Sequence, residues 1–297
     1  MKKDLFCFSL ALLLVITAMG QDTIVLEADT PAVIPTPVVP APVFPVPPKP
    51  AHVYTLHPAV DVPIVAVGTA WSIFAFTKIY SKDPSTPEQI MSLDENDIPK
   101  IDRWAAGMSD EKADKNADYL FYGSLPLPFL LLFDKEIRED APRIAFLYWE
   151  AMAVTGLFYT GGVYFFDRYR PETYNTDIPV SDRLSGNFKD AFPAGHPALV
   201  ATATFFTAKV YADYHPGSTL NYVFFGLAAG ATGATAYLRH IAGKHFPTDL
   251  FAGVTWGTLS GILVPQLHKK RKHVPDVGFI PFTNGKDVAF SLRIRIH

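Results

Sequence analysis

Six apolar stretches, residues 62–77, 119–133, 151–166, 197–208, 219–238 and 250–268, dominate the chain beyond residue 62. By length and apolar pattern each reads as a helix. Together they predict an all-α fold, a helical bundle of about six core helices. Two of the boundaries are marked by proline: Pro197 and Pro247 suit the first turn of a helix, where a missing N–H costs nothing. A histidine lies just before each expected start, His196 and His245. A charged, irregular connection, about residues 81–115, joins the first two stretches, and the second contains Pro126 and Pro128.

The two ends read differently. Lys2 and Lys3, an apolar run over residues 5–17 and the small residues of Ala18-Met19-Gly20 form the pattern of a secretory signal cut before Gln21. Residues 31–50 hold nine prolines, a spacer of extended backbone that could reach about 60 Å. At the other end, residues 277–282 and 288–296 flank Asn284-Gly285, a favoured hairpin turn. Phe290, Leu292, Ile294 and Ile296 alternate with polar residues there, as in a half-buried strand. The expected organisation is a signal peptide at 1–20, a proline-rich linker at 21–56, a helical domain at 57–273 and a small C-terminal β-hairpin at 274–297, packed on the helices. Cys7 is the only cysteine and lies in the signal, so the mature chain would have neither disulfides nor cysteine metal sites.

A formal net charge of −3 argues against a general nucleic-acid binder. With 49% hydrophobic residues and a mean hydropathy of +0.15, the chain is apolar for a soluble protein but low for a multi-span transporter. Several stretches are near 16 residues, at or below what a span needs. If the N-terminus were exported and all six spanned, Lys269-Lys270-Arg271-Lys272 would lie outside, against the positive-inside tendency. An exported bundle, periplasmic or lying against a membrane, avoids that conflict.

The polar residues at the ends of these helices carry the chemistry. They fall in three clusters: Arg168-Tyr169-Arg170-Pro171, Phe192-Pro193-Ala194-Gly195-His196, and Arg239-x5-His245-x3-Asp249. Phosphate transfer needs a nucleophile, a proton donor for the leaving oxygen, and cations for the anionic oxygens. Histidine can serve the first two needs near neutral pH. Asp249, four residues after His245, could accept a hydrogen bond from one imidazole nitrogen and leave the other free, as in a triad; it could equally just favour a helix N-terminus. His196 is the candidate acid, Gly195 would let backbone approach an anion, and Arg170 and Arg239 could clamp phosphate oxygens.

These three clusters, in this order, resemble the motifs of the type-2 phosphatidic acid phosphatase/vanadium haloperoxidase superfamily, over roughly residues 57–270. The resemblance implies a helical bundle with a phosphate site at the helix ends, and no metal or other cofactor in the phosphatase members. It implies that His245 attacks phosphorus to form a phosphohistidine, with Asp249 orienting it. His196 would protonate the leaving group and later activate water, and Arg170 and Arg239 would hold phosphate. Three positions depart from the family pattern. Val163 stands where a lysine begins the first motif, Ala194 where a serine precedes Gly-His, and Leu238 where a serine precedes the arginine. The first two would remove phosphate donors, and one such donor is worth about 10²–10³ in rate. Arg168, close to Arg170 in sequence, is the candidate replacement, with Lys244 a weaker one. The expected substrate is a phosphorylated lipid or a small phosphate ester, with a membrane surface as partner and no nucleic acid. The alternative is a non-catalytic phosphate or lipid-phosphate binding relative. A vanadate-dependent haloperoxidase fits less well, because it needs a complete oxyanion cage.

Overall fold

A computed structural model describes residues 52–270 and the backbone of residues 277–283 and 288–294. The expected signal, Cys7 and nearly all of the proline-rich linker lie outside the described residues. Eight α-helices are present among the described residues: α1 (Pro58–Ile79), α2 (Pro87–Met91), α3 (Glu111–Ser124), α4 (Lys135–Arg138), α5 (Ala141–Phe165), α6 (Gly195–Tyr214), α7 (Leu220–Ile241) and α8 (Pro247–His268). Six of them have 14 residues or more. Prolines open α1, α2 and α8 at positions that have no intrahelical N–H partner to lose.

Two expectations change. The apolar stretch at 119–133 is not one helix: α3 ends at Ser124 and a 3-10 segment, Leu127–Phe133, follows. Pro126 and Pro128 lack the N–H that continuation requires. The connection at 81–115 is not wholly irregular either. It contains α2, and α3 begins within it, where the Asp110 carboxylate accepts the N–H of Ala113. At the C-terminal end, β1 (Val277–Thr283) and β2 (Val288–Ile294) pair antiparallel, with Phe279 opposite Leu292. The Asn284-Gly285 turn and the packing of this pair on the helices fall outside the described residues, so the helical bundle is the fold that stands.

α6 is the central helix, burying 14 of its 20 residues. α8 runs parallel to it and touches it along a glycine seam. A Cβ at Gly253, Gly257 or Gly261 would lie 2.2, 2.0 or 2.7 Å from the carbonyl oxygens of Ala194, Ala198 and Thr202 respectively. That seam brings the starts of α6 and α8 side by side. Phe206 and Val210 of α6 pack with Ile144 and Leu147 of α5 and with Val264 of α8, all buried. Full burial of each such side chain contributes about 1.5–3 kcal/mol. Short links join α6 to α7 and α7 to α8, so one end of the bundle collects the end of α5, the start of α6, the end of α7 and the start of α8.

The outside of the bundle is also apolar. Val67, Ile73 and Phe74 of α1, Trp149 and Phe165 of α5, Tyr222 and Leu227 of α7, and Phe251 and Leu267 of α8 are exposed. Among the described residues, α1 and α8 are long and apolar enough to cross a membrane. An apolar exterior of this extent is the kind of surface that meets lipid or a partner.

Candidate active site at the helix ends

Backbone hydrogen bonds fasten the three sequence clusters to one another. Arg170 N–H donates to Phe188 O (2.8 Å) and Ala191 N–H to Arg168 O (3.1 Å), which ties the first cluster to the residues just before the second. Glu172 N–H donates to Gly243 O (2.9 Å), tying the first to the third, and Ala194 N–H donates to Asp249 O (3.1 Å), tying the second to the third. Gly243 has a φ of 69°, and a Cβ there would lie 1.7 Å from Met108 O. Only glycine fits that turn, and the turn delivers the next residues, Lys244 and His245, into the bundle end.

His245 is 3% exposed. Its Nδ1 lies 2.7 Å from the carbonyl oxygen of Ala191, which can only accept, so Nδ1 carries the proton. Burial, followed by the Arg239 and Arg170 guanidiniums, pushes its pKa well below the ordinary range. A neutral imidazole with Nδ1–H committed presents a lone pair on Nε2. That is the form a nucleophile or base requires.

The expected partner of that imidazole is not Asp249. In α8, Asp249 Oδ2 accepts the Phe246 N–H at 2.8 Å, and Oδ1 pairs with Arg168 Nη1. The i, i+4 spacing brings two side chains together only within a helix, and His245 precedes the N-cap Phe246. The Ala191 carbonyl fixes the tautomer instead. Burial outweighs the Arg168 charge at Asp249 and pushes its carboxyl up to about 7.

Arg168 is likewise not placed as a phosphate ligand. Its Nη2 pairs with Asp102 at 2.7 Å, its Nη1 with Asp249 and with Thr248 Oγ1 at 2.9 Å, and it lies over the Phe246 ring at 4.6 Å. Asp102 also accepts Thr248 N–H at 3.0 Å, so it caps α8 from a distant loop. Arg168 is thus the shared counter-ion of two fully buried carboxylates. Lys244 meets Glu172 at 2.8 Å and Asp114 at 3.4 Å. Val163 is fully buried against Ala75 and Ile79 of α1. Among the described residues the lysine that reaches it is Lys82, which donates to its backbone oxygen at 2.7 Å and is paired with Asp167 and Asp190.

Arg170 and Arg239 keep donors to spare. Both Nε atoms are buried and make no hydrogen bond. Arg170 Nη1 is 3.6 Å from Glu172, and Arg239 Nη1 pairs with Asp114. His196 stands in the first turn of α6, with Nε2 3.2 Å from Asp118 Oδ1 and its ring 4.4 Å from that of Phe121. Burial and then the charges of Arg239 and Arg170 lower its pKa to about 3, so it faces Asp118 as a neutral ring. An anion that neutralised the arginines would raise it.

Gly195 serves close packing rather than direct backbone exposure. A Cβ there would lie 2.5 Å from the Tyr159 ring. Tyr159 was not legible as a site residue, yet both Arg170 and Arg239 act on its phenol, which burial pushes up to about 12. Asp114 and Asp118 of α3 were also missed. The signal that could have found them is the Asp110 cap followed by Ala113/Ala117 and Asp114/Asp118 at helical spacing.

The assembled site holds a neutral imidazole with Nε2 unprotonated, a second histidine at a helix start, and two guanidiniums whose buried Nε–H donors are unused. The model of the PAP2 superfamily matches residues 144–273, which includes all three clusters. No curated protein and no solved structure matches the chain.

Proposed function

From the match of the PAP2 superfamily model to residues 144–273, we propose that this protein hydrolyses phosphate esters at His245. The observation that carries this reading is the pair of buried, unpartnered Nε–H groups on Arg170 and Arg239 beside a neutral His245. Buried donors without acceptors are costly, about 1–3 kcal/mol each or more when charged, and a phosphoryl group is the acceptor that fits them.

His245 Nε2 attacks phosphorus, forming the P–N bond as the P–O bond to the leaving group breaks. His196, protonated once the phosphate balances the two guanidiniums, gives its proton to the leaving oxygen. Neutral His196 then takes a proton from water. That water attacks phosphorus, breaks the P–N bond and releases inorganic phosphate, leaving His245 neutral. Arg170 and Arg239 hold the equatorial oxygens, Ala191 O keeps the tautomer, and Asp249 holds the backbone of Phe246 next to His245. No metal takes part. The apolar exterior supports a phosphorylated lipid, a monoester or diphosphate, as the substrate and an exported bundle held against a membrane.

One observation favours a second reading, a phosphate-binding protein without turnover: Val163 and Ala194 offer no donor, and Arg239 is already paired with Asp114. Phosphate release separates the two. Residues 21–297 are assayed with chelator present on an aryl phosphate, phosphatidic acid and a polyprenyl diphosphate, beside His245→Ala. Release that disappears in the variant supports hydrolysis, and the ranking of substrates separates lipid from soluble esters. Equal background in both proteins, with phosphate still bound, refutes hydrolysis and leaves the binding reading.

A further inference from the structure

A second polar cluster lies at the opposite end of the bundle, where α8 finishes. α8 has 22 residues, so this cluster is about 33 Å along the helix from His245. It joins the residue that precedes α1, the first turn of α1, the middle of α5 and the last residue of α8. His57, Asp61 and His268 each offer a ligand atom, and these atoms lie within 4.8 Å of one another. Glu150 of α5 stands beside this trio, its Oε2 lying 3.6 Å from His268 Nε2.

Glu150 is 3% exposed, and its Oε2 makes no hydrogen bond. A buried carboxylate oxygen with no donor is costly unless a cation meets it. The neighbouring acid does not relieve it: Asp61 is 2% exposed and brings a second negative charge. His268 is held in the tautomer a metal uses. Its Nδ1 donates to Val264 O at 2.7 Å, which leaves Nε2 facing Asp61 Oδ1 at 3.2 Å and Glu150 Oε2 at 3.6 Å. Ligating imidazoles characteristically give their other N–H to a backbone carbonyl in this way. The second Asp61 oxygen is fixed by His57 N–H at 2.5 Å. Ligands on a tetrahedral ion at about 2.0–2.2 Å are about 3.3–3.6 Å apart, and the two His268 distances bracket that separation. Two carboxylates, two neutral imidazoles and one dication also sum to zero charge.

We propose that His57, Asp61, Glu150 and His268 bind one divalent transition-metal ion, of which zinc is the fitting probe. Four protein ligands leave no open position, so the ion is structural and clamps the start of α1 to α5 and the end of α8. The site is separate from the residues proposed for phosphate chemistry, whose assay is run with chelator present.

The test uses the purified chain without a histidine tag, stripped with chelator and dialysed against zinc. The expected result is one zinc per chain by elemental analysis and a higher melting temperature with zinc. Glu150→Gln loses the zinc response, yet melts no lower than the metal-free parent, because an amide replaces a buried carboxylate whose Oε2 accepts no hydrogen bond. His57→Ala, at an exposed position, keeps the fold and weakens zinc binding by at least the roughly 10–100-fold that losing an outer-shell partner costs. Three outcomes overturn the proposal: no zinc retained by the parent, equal zinc on parent and both variants, or a metal-free Glu150→Gln chain that melts lower. The last would mean a simple ion-pair network. Zinc uptake with no phosphate release would refute the hydrolase reading alone.

Discussion

Arg168 gives the sharpest test of the site, because sequence and structure assign it different work. If it bound phosphate, Arg168→Ala would weaken substrate binding and leave the fold intact. In the structure it is the counter-ion of Asp102 and Asp249, both fully buried. Removing one member of a buried ion pair costs about 3–5 kcal/mol, because the stranded charge remains. At about 2–4 °C per kcal/mol for a domain of this size, the melting temperature should fall by about 6–20 °C.

The loss should also depend on pH. Asp249 has a folded pKa near 7, above its ordinary 3.8. The folded chain therefore holds more protons than the unfolded one between those values, and Asp249 costs stability as pH rises through that window. Without Arg168 the Asp249 carboxyl shifts further up. The deficit of the variant should be greatest near pH 8 and shrink towards pH 5, where Asp249 is neutral. Thermal unfolding of parent and variant at both pH values measures this, alongside inhibition by inorganic phosphate. An Arg168→Ala chain that melts within about 2 °C of the parent, but has lost phosphate inhibition, would refute the counter-ion argument.

Asp118→Asn removes the carboxylate 3.2 Å from His196 Nε2, so the alkaline limb of the kcat profile, which reports the substrate complex, should move to lower pH; an unmoved limb would mean Asp118 does not act on the acid. Tyr159→Phe deletes a phenol within the field of Arg170 and Arg239. If that hydroxyl serves as a phosphate donor, affinity for phosphate should drop about tenfold or more, the value of a hydrogen bond to a charged group, and unchanged inhibition by phosphate would exclude it. Val163→Lys, which restores the family's residue type, should lower stability and give no gain in phosphate release. Its side chain enters the buried contact with Ala75 and Ile79, and a chain of parental stability with faster turnover would overturn that account.

What was legible in the sequence was legible because it is local. Pro197 and Pro247 mark helix starts by their own chemistry, so the places of His196 and His245 followed, and Arg170 and Arg239 followed from the ends of apolar runs. What was not legible depends on partners far along the chain. Whether Arg168 meets a phosphate or a carboxylate is decided by Asp102, 66 residues away. The fate of Arg239 is decided by Asp114, 125 residues away. Both aspartates belong to the charged region read as an irregular connection, where charge density masked a helix whose buried face is only Ala113, Ala117 and Ser124. Asp249 failed for the opposite reason. At the third position of α8 its carboxylate has a nearer donor, the Phe246 N–H, than the imidazole of His245, and capping prevailed. The consequence for the proposed reaction lies in α3. Arg239 already shares its charge with Asp114, and His196 already lies 3.2 Å from Asp118, so an incoming phosphate must compete with carboxylates from that one helix. Affinity at this site is then set jointly by the family's motif residues and by a helix outside residues 144–273, the segment that the family model covers.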